Sequence, residues 1–262
     1  MKISFIGLSC FMIENASGYR ILVDPFNADP GWSLGPKFPE NFDGKRLGAN
    51  IVIMTEPDAD HAYTPGDFLQ HAPATKPGSN PFPGLDLRGT VVYEYNGDLN
   101  VAYHYTVDGL RLLHLADNAH PLNESQLAEI GQPDIIFVSP PKTERSNETA
   151  RESLRRDIEN LKPKLIVWAH HIAPHDLPDG DDSQTLQNYF IEYFATHANT
   201  NKFYTGKGDF IQLCYIYENA LILNREYNGS VPEATSIVVD RNYIDCLPKT
   251  PSSILFKKML AL

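Results

Sequence analysis

The residues best equipped for chemistry follow directly on apolar runs. Ile51-Val52-Ile53-Met54 leads into Thr55-Glu56-Pro57-Asp58-Ala59-Asp60-His61, Leu112-Leu113-His114-Leu115 leads to Asp117, and Ile166-Val167-Trp168 leads to His170-His171. Strand ends hold side chains rigidly at a cleft while leaving them solvated. Glu56, Asp58, Asp60 and Asp117 offer carboxylate oxygens, and His61 and His170 offer imidazole nitrogens, which together make an oxygen-and-nitrogen metal site. Taken singly, each residue also fits ordinary turn, N-cap or local hydrogen-bonding chemistry. Turn chemistry does not explain so many ligand-type side chains at the ends of successive strands.

These positions depend on the elements between them. Lys2 to Gly7, Cys10 to Glu14 and Tyr19 to Val23 read as an antiparallel meander ending in Asp24-Pro25, with a polar turn at Asn15 to Gly18. Residues 26 to 50 are rich in Pro, Gly, Asn and aromatics and read as a long loop, as does the Pro/Gly-rich stretch after residue 72, with a short helix near Pro65 to His71. Thr90 to Tyr95, Val101 to Thr106 and Leu110 to Leu115 form a second meander around Asn96-Gly97-Asp98 and Asp108-Gly109. Asn123 caps a helix to Ile130, and Asp134 to Val138 and Lys164 to Ala169 are buried strands.

Between those strands, Ala150, Leu154, Ile158 and Leu161 mark one helix face, which leaves Arg151, Arg155 and Arg156 on the solvated side. Ser183 to His197 reads as another helix and Phe210 to Leu223 as a hairpin around Glu218-Asn219. The organisation expected is one domain over 1–224 and a C-terminal extension over 225–262 that packs on the domain or on a second subunit of a homo-oligomer.

The 262 residues, with 42% hydrophobic and 21% charged content, suit a globular chain with a sizeable core. No apolar run is long enough to span a membrane and the N-terminus lacks the pattern of a secretory signal, so a soluble, cytoplasmic protein is expected. A net charge of −11 argues against nucleic acid as a partner, because phosphate backbones are bound by clustered Lys and Arg. Cys10, Cys214 and Cys246 are odd in number and far apart, which favours buried reduced thiols over disulfides or metal ligands.

GLSCFMIE, RILVDPF, TEPDADH, LRLLHLADNAHPLNESQLAEIGQPDIIFVSPP and LKPKLIVWAHH, in that order over roughly residues 1 to 172, resemble the metallo-β-lactamase superfamily. Within it, the similarity is to metal-dependent hydrolases of the L-ascorbate-6-phosphate lactonase and N-acyl-phosphatidylethanolamine phospholipase D kind. The resemblance implies an α/β fold, an αββα sandwich, with a metal site at one edge built from a T-H-x-H-x-D-H loop, a further histidine, an aspartate in a G-D segment and a late histidine. By position, Asp60 and His61 match the end of the loop, Asp117 the bridging aspartate and His170 the late histidine. Asp24 matches an aspartate that orients ligands from beneath the site.

The departures are equally specific. Glu56 and Asp58 stand where the loop has its first two histidines, Leu8 replaces the histidine of a G-H-S-C-F opening, and Ala116 replaces the glycine before Asp117. No histidine lies between Pro83 and Asn100, and His104 falls inside a strand. The first metal position therefore loses its imidazoles while the second keeps its ligands. Carboxylates at Glu56 and Asp58 suit hard cations better than zinc.

The function expected is a hydrolase of an ester, lactone or phosphoester in a small-molecule substrate. One divalent ion (Zn, Mn or Fe) would activate a water, with Asp58 as base or weak ligand. His171 reads either as a substrate-side acid or hydrogen-bond donor or as a surface histidine; His120 and His175 lie near the ligands in sequence. The competing expectation is a protein that keeps the fold, has lost the metal and binds a partner or small molecule.

Overall fold

In the computed structural model the described residues are 1–26, 41–42, 45–46, 48–58, 60–62, 75–144, 146–173, 177–178, 182–197 and 207–260. The helix expected near Pro65 to His71, His175 and most of the 26–50 loop lie outside them.

Strands β1 (Lys2–Gly7), β2 (Cys10–Glu14) and β3 (Arg20–Val23) form the expected meander. After β4 (Asn41–Phe42) and β5 (Lys45–Arg46), a small antiparallel pair, β6 (Ile51–Ile53) adds in parallel beside β3. Next come β7 (Gly78–Phe82), β8 (Leu85–Tyr93), β9 (Leu99–Val107) and β10 (Leu110–His114), all antiparallel neighbours. The chain continues through α1 (Glu124–Ile130), β11 (Ile135–Val138), α2 (Glu148–Leu161) and β12 (Leu165–Trp168). It ends with α3 (Ser183–His197), α4 (Lys207–Glu226), β13 (Ser236–Val238), α5 (Arg241–Cys246) and β14 (Ser252–Ile254).

Two sheets result, a five-stranded one in the order β13-β1-β2-β3-β6 and a seven-stranded one in the order β14-β12-β11-β10-β9-β8-β7. The expected mixed α/β architecture with two sheets is present. Aromatic rings bridge the sheets: Phe11 of β2 meets Phe137 of β11 edge-on at 5.0 Å, and Phe5 of β1 stacks on Phe256, just past β14, at 5.7 Å. All four rings are essentially buried, and each such side chain contributes about 1.5–3 kcal/mol. Residues 225–262 add an edge strand to each sheet, β13 on β1 and β14 on β12.

The strand order explains why ligand-type residues converge. β10, β11 and β12 run parallel, with α1 and α2 as crossovers, so their carboxyl ends point the same way. Asp117, Ser139 and His170 leave the sheet at that edge. In the other sheet, parallel β3 and β6 deliver Asp24 and the 55–61 segment. A bridge from Leu8 to His171, with Leu8 N donating to His171 O at 2.9 Å, ties the two edges together. Asn123 caps α1 as expected, and Gln126 answers it to close a capping box.

Several expectations are corrected. Residues 210–223 are helix α4, not a hairpin: Glu218 and Asn219 are buried within it. Gly78–Phe82 is an edge strand where a loop was expected. Arg151 is buried, donating to Asn219 Oδ1 at 2.7 Å and paired with Glu148, because α2 packs toward α4 as well as toward the sheet. The three cysteines are free, but Cys246 is exposed. Among the described residues no helix is long and apolar enough to cross a membrane.

Candidate metal centre

The 55–61 segment is anchored from below. Asp24, at the end of β3, accepts the Thr55 amide at 2.7 Å on Oδ1 and the Thr55 hydroxyl at 2.9 Å on Oδ2. A short turn then forms as the amides of His61 and Ala62 donate to Asp58 O. This brings His61, fully buried, over Asp24, with Nδ1 3.1 Å from Asp24 Oδ2. A carboxylate on Nδ1 fixes the proton there and leaves Nε2 as the ligating atom.

Nε2 of His61 faces oxygens: Glu56 Oε1 at 2.7 Å, Asp117 Oδ2 at 3.8 Å and Asp60 Oδ2 at 3.9 Å. His170, after β12, points Nε2 at Asp60 Oδ2 across 3.4 Å and Nδ1 at Asp117 Oδ1 across 2.7 Å. Asp117 is also held by the Ser139 hydroxyl on Oδ1 and by the Lys142 ammonium on Oδ2. Asn100, on β9, donates to Glu56 Oε2 at 3.0 Å.

Leu8, Asp24, Ala116 and His170 all have left-handed backbones, with φ of 53°, 45°, 56° and 56°. Such residues mark sites whose geometry the surrounding structure over-determines. At Ala116 the conformation is one a glycine would adopt without strain, which gives a physical reason for the glycine that the family pattern has there.

Burial and charge oppose one another throughout. Burial raises the Glu56 carboxyl, and despite the neighbouring His61 it is pushed up to about 7. Burial would also raise Asp60 and Asp117, but imidazolium neighbours, joined at Asp117 by Lys142, outweigh it and hold both below the usual carboxylate range. His61 and His170 would be lowered by burial, yet Glu56, Asp24 and Asp60 raise the former and Asp117 the latter.

The donor set fits a divalent ion. Ligand atoms about 2.0–2.2 Å from a tetrahedral ion lie about 3.3–3.6 Å apart, and the Asp60–His170 and Asp60–His61 separations of 3.4 and 3.9 Å come near this. Two overlapping clusters have ligand atoms within 4.8 Å of one another: Asp60, His61 and His170, and Glu56, His61 and Asp117.

Asp60, His61, His170, Asp117 and Glu56 are thus brought together. Asp58 is exposed at the rim, its carboxyl raised by partial burial and by Asp60 and Glu94. His171 is not a surface histidine. It is fully buried, stacked on Phe5 at 4.5 Å, with Nε2 donating to Phe256 O at 2.9 Å. His120 is exposed and bonds Glu94 O, and His104 stays in β9 among structural neighbours.

Sequence reading missed Ser9, Glu94, Asn100, Ser139 and Lys142. Ser9 Oγ lies 3.5 Å from His61 Nε2, and Glu94 Oε1 lies 3.6 Å from Lys142 Nζ. Ser139 and Lys142 follow β11, so the strand-end rule, applied to that strand too, finds them.

The family model of the beta-lactamase superfamily domain matches residues 2–170. No curated protein matches the chain. A Thermotoga maritima protein described as a candidate Zn-dependent hydrolase of the metallo-beta-lactamase superfamily is 16% identical, covers 97% of each chain and superposes with a TM-score of 0.60, which establishes a shared fold. A metallo hydrolase from Ignicoccus hospitalis, 16% identical over 73% of this chain and 91% of its own, gives a TM-score of 0.47. The diiron β-hydroxylase CmlA from Streptomyces venezuelae, 12% identical over 64% of this chain and 44% of its own, gives 0.44.

Proposed function

The chain belongs to the beta-lactamase superfamily, and from that premise we propose that it is a metal-dependent hydrolase of an ester, lactone or phosphoester that uses one divalent ion of zinc, manganese or iron. The observation that carries this reading is the approach of Asp60 Oδ2 to His170 Nε2 at 3.4 Å beside His61, whose Nδ1 is engaged by Asp24 and whose Nε2 faces carboxylate oxygens. Asp60, His61 and His170 would hold the ion, with Asp117 as fourth ligand or bridge and Glu56 as a further oxygen within reach. Bound there, the ion supplies a water of lowered pKa and a Lewis acid for a carbonyl or phosphoryl oxygen.

The chain's own residues supply the remaining roles. Asp24 and Thr55 orient His61, while Ser139 and Lys142 hold Asp117. Asp58, exposed and with a raised carboxyl, is our choice for the group that accepts a proton at a carboxylate oxygen. The substrate class rests on the sequence resemblance to lactonases and phospholipase D-type hydrolases.

A second reading, a binding protein on the same fold, is favoured by the carboxylates at 56 and 58 where imidazoles are expected. Substitutions Asp60→Ala and His170→Ala separate the two readings. Each should abolish turnover on a panel of ester, lactone and phosphoester substrates assayed with added Mn²⁺ or Zn²⁺. Unchanged turnover in both variants contradicts the hydrolase reading.

A further inference from the structure

Beside Asp60, His61 and His170 lies a group of carboxylates with a different partner. Glu56 and Asp117 are buried, Glu56 Oε1 facing His61 Nε2 at 2.7 Å and Asp117 Oδ2 facing the Lys142 ammonium. Glu94 adjoins both Glu56 and Lys142, and Asp58 feels its charge. Carboxylates so close repel unless a cation stands among them. With Glu56 Oε1 facing His61 Nε2, the cation that meets Asp117 and Glu94 is Lys142, whose ammonium contacts Asp117 Oδ2 and lies 3.6 Å from Glu94 Oε1.

Lys142 is not a loosely tethered surface lysine. It follows Pro140-Pro141, and the backbone on either side of it is clamped from α4: Asn219 Nδ2 donates to Pro141 O at 2.9 Å and to Thr143 O at 2.8 Å. Asn219 is fully buried and is itself held by Arg151 through Oδ1. Two buried side chains from two helices thus fix where the ammonium emerges. Its charge is compact and set on a flexible stem, so it can meet oxygens from two strands at once.

We propose that Lys142 is the resident cation of Asp117 and Glu94, its ammonium standing where a second divalent ion would otherwise be held. The inference deepens the single-ion reading and rests on it: one position takes a metal through imidazoles and Asp60, and the adjoining carboxylates are neutralised from within the chain. Lys142 is a positioning residue, acting through Asp117. Hard oxygen donors alone would otherwise recruit a cation such as Mn²⁺.

The test counts Mn²⁺ bound per chain, by equilibrium dialysis with elemental mass spectrometry, in the wild type, Lys142→Met, Lys142→Gln and Lys142→Arg. The Met and Gln variants should each bind one Mn²⁺ more than the wild type, and the Arg variant none more. An equal count in wild type and the neutral variants overturns the proposal. A wild-type count of zero contradicts the single-ion reading instead, and the difference between wild type and variant still decides the role of Lys142. Wild-type crystals soaked in Mn²⁺ give a reading without any variant: anomalous density between Asp117 and Glu94 overturns the proposal, and its absence there supports it.

Discussion

Asp24 Oδ2 lies 3.1 Å from Nδ1 of His61 while the same carboxylate accepts both donors of Thr55, so one side chain at the end of β3 fixes the loop and the imidazole it carries. Partners of this kind commonly set metal affinity by 10–100-fold. Asp24→Ala should weaken Mn²⁺ or Zn²⁺ binding by about that factor, measured by isothermal titration on protein shown to be folded by its melting curve. An unchanged Kd would mean that His61 is not a ligand oriented from Nδ1.

His171 differs from His170, one residue earlier, in everything but type. Burial lowers it to about 4, it is neutral at pH 7, and its Nε2–H is spent on Phe256 O. His171→Phe keeps the stack on Phe5 but leaves that carbonyl without its donor, a loss of about 1–3 kcal/mol. The melting temperature should fall by about 2–4 °C per kcal/mol while turnover of the folded protein is retained. Lost turnover at an unchanged melting temperature would restore the catalytic role that the sequence suggests.

Asp157 links the site to α2. Its Oδ1 accepts Leu122 N at 2.9 Å and its Oδ2 lies 3.4 Å from Asn118 Nδ2, one residue past Asp117. Burial raises its carboxyl to about 6, although the Leu122 amide and Arg156 pull the other way. Because the folded protein holds this proton more tightly than the unfolded chain, the contribution is most favourable below about pH 4. It is lost progressively as the pH rises to about 6 and stays lost above. Asp157→Asn removes the titration and keeps an acceptor for Leu122, so its melting temperature should gain on the wild type between pH 4 and 7. A gap that does not change with pH would contradict this assignment.

The candidate positions were legible because apolar strands announce themselves and the residue types that follow them are conspicuous. Strand ends alone point to Asp60, His61, Asp117 and His170, which the fold brings together. What stayed hidden depends on distant packing. Residues 210–223 are apolar and aromatic on nearly every face, and such a run does not distinguish a buried helix from strands. Its polar pair Glu218-Asn219 resembles a turn, yet Asn219 is a tertiary clamp on Pro141 and Thr143. Arg151 was placed in solvent by periodicity because the partner that buries it, Asn219, lies 68 residues away. Glu94 carries no local signal either, since it gains meaning only where the end of β8 meets Lys142 and the 55–61 segment. β7 was masked by Gly78 and Pro81, which an edge strand tolerates.

Anomalous diffraction at the metal's absorption edge, from crystals grown with Mn²⁺ or Zn²⁺, asks whether one divalent ion is held by Asp60, His61 and His170 with Asp117 beside it. One peak per chain is expected, about 2.0–2.2 Å from Asp60 Oδ2, His61 Nε2 and His170 Nε2. No peak at that position after saturation with either ion, or a peak that none of these three residues contacts, would contradict the single-ion reading.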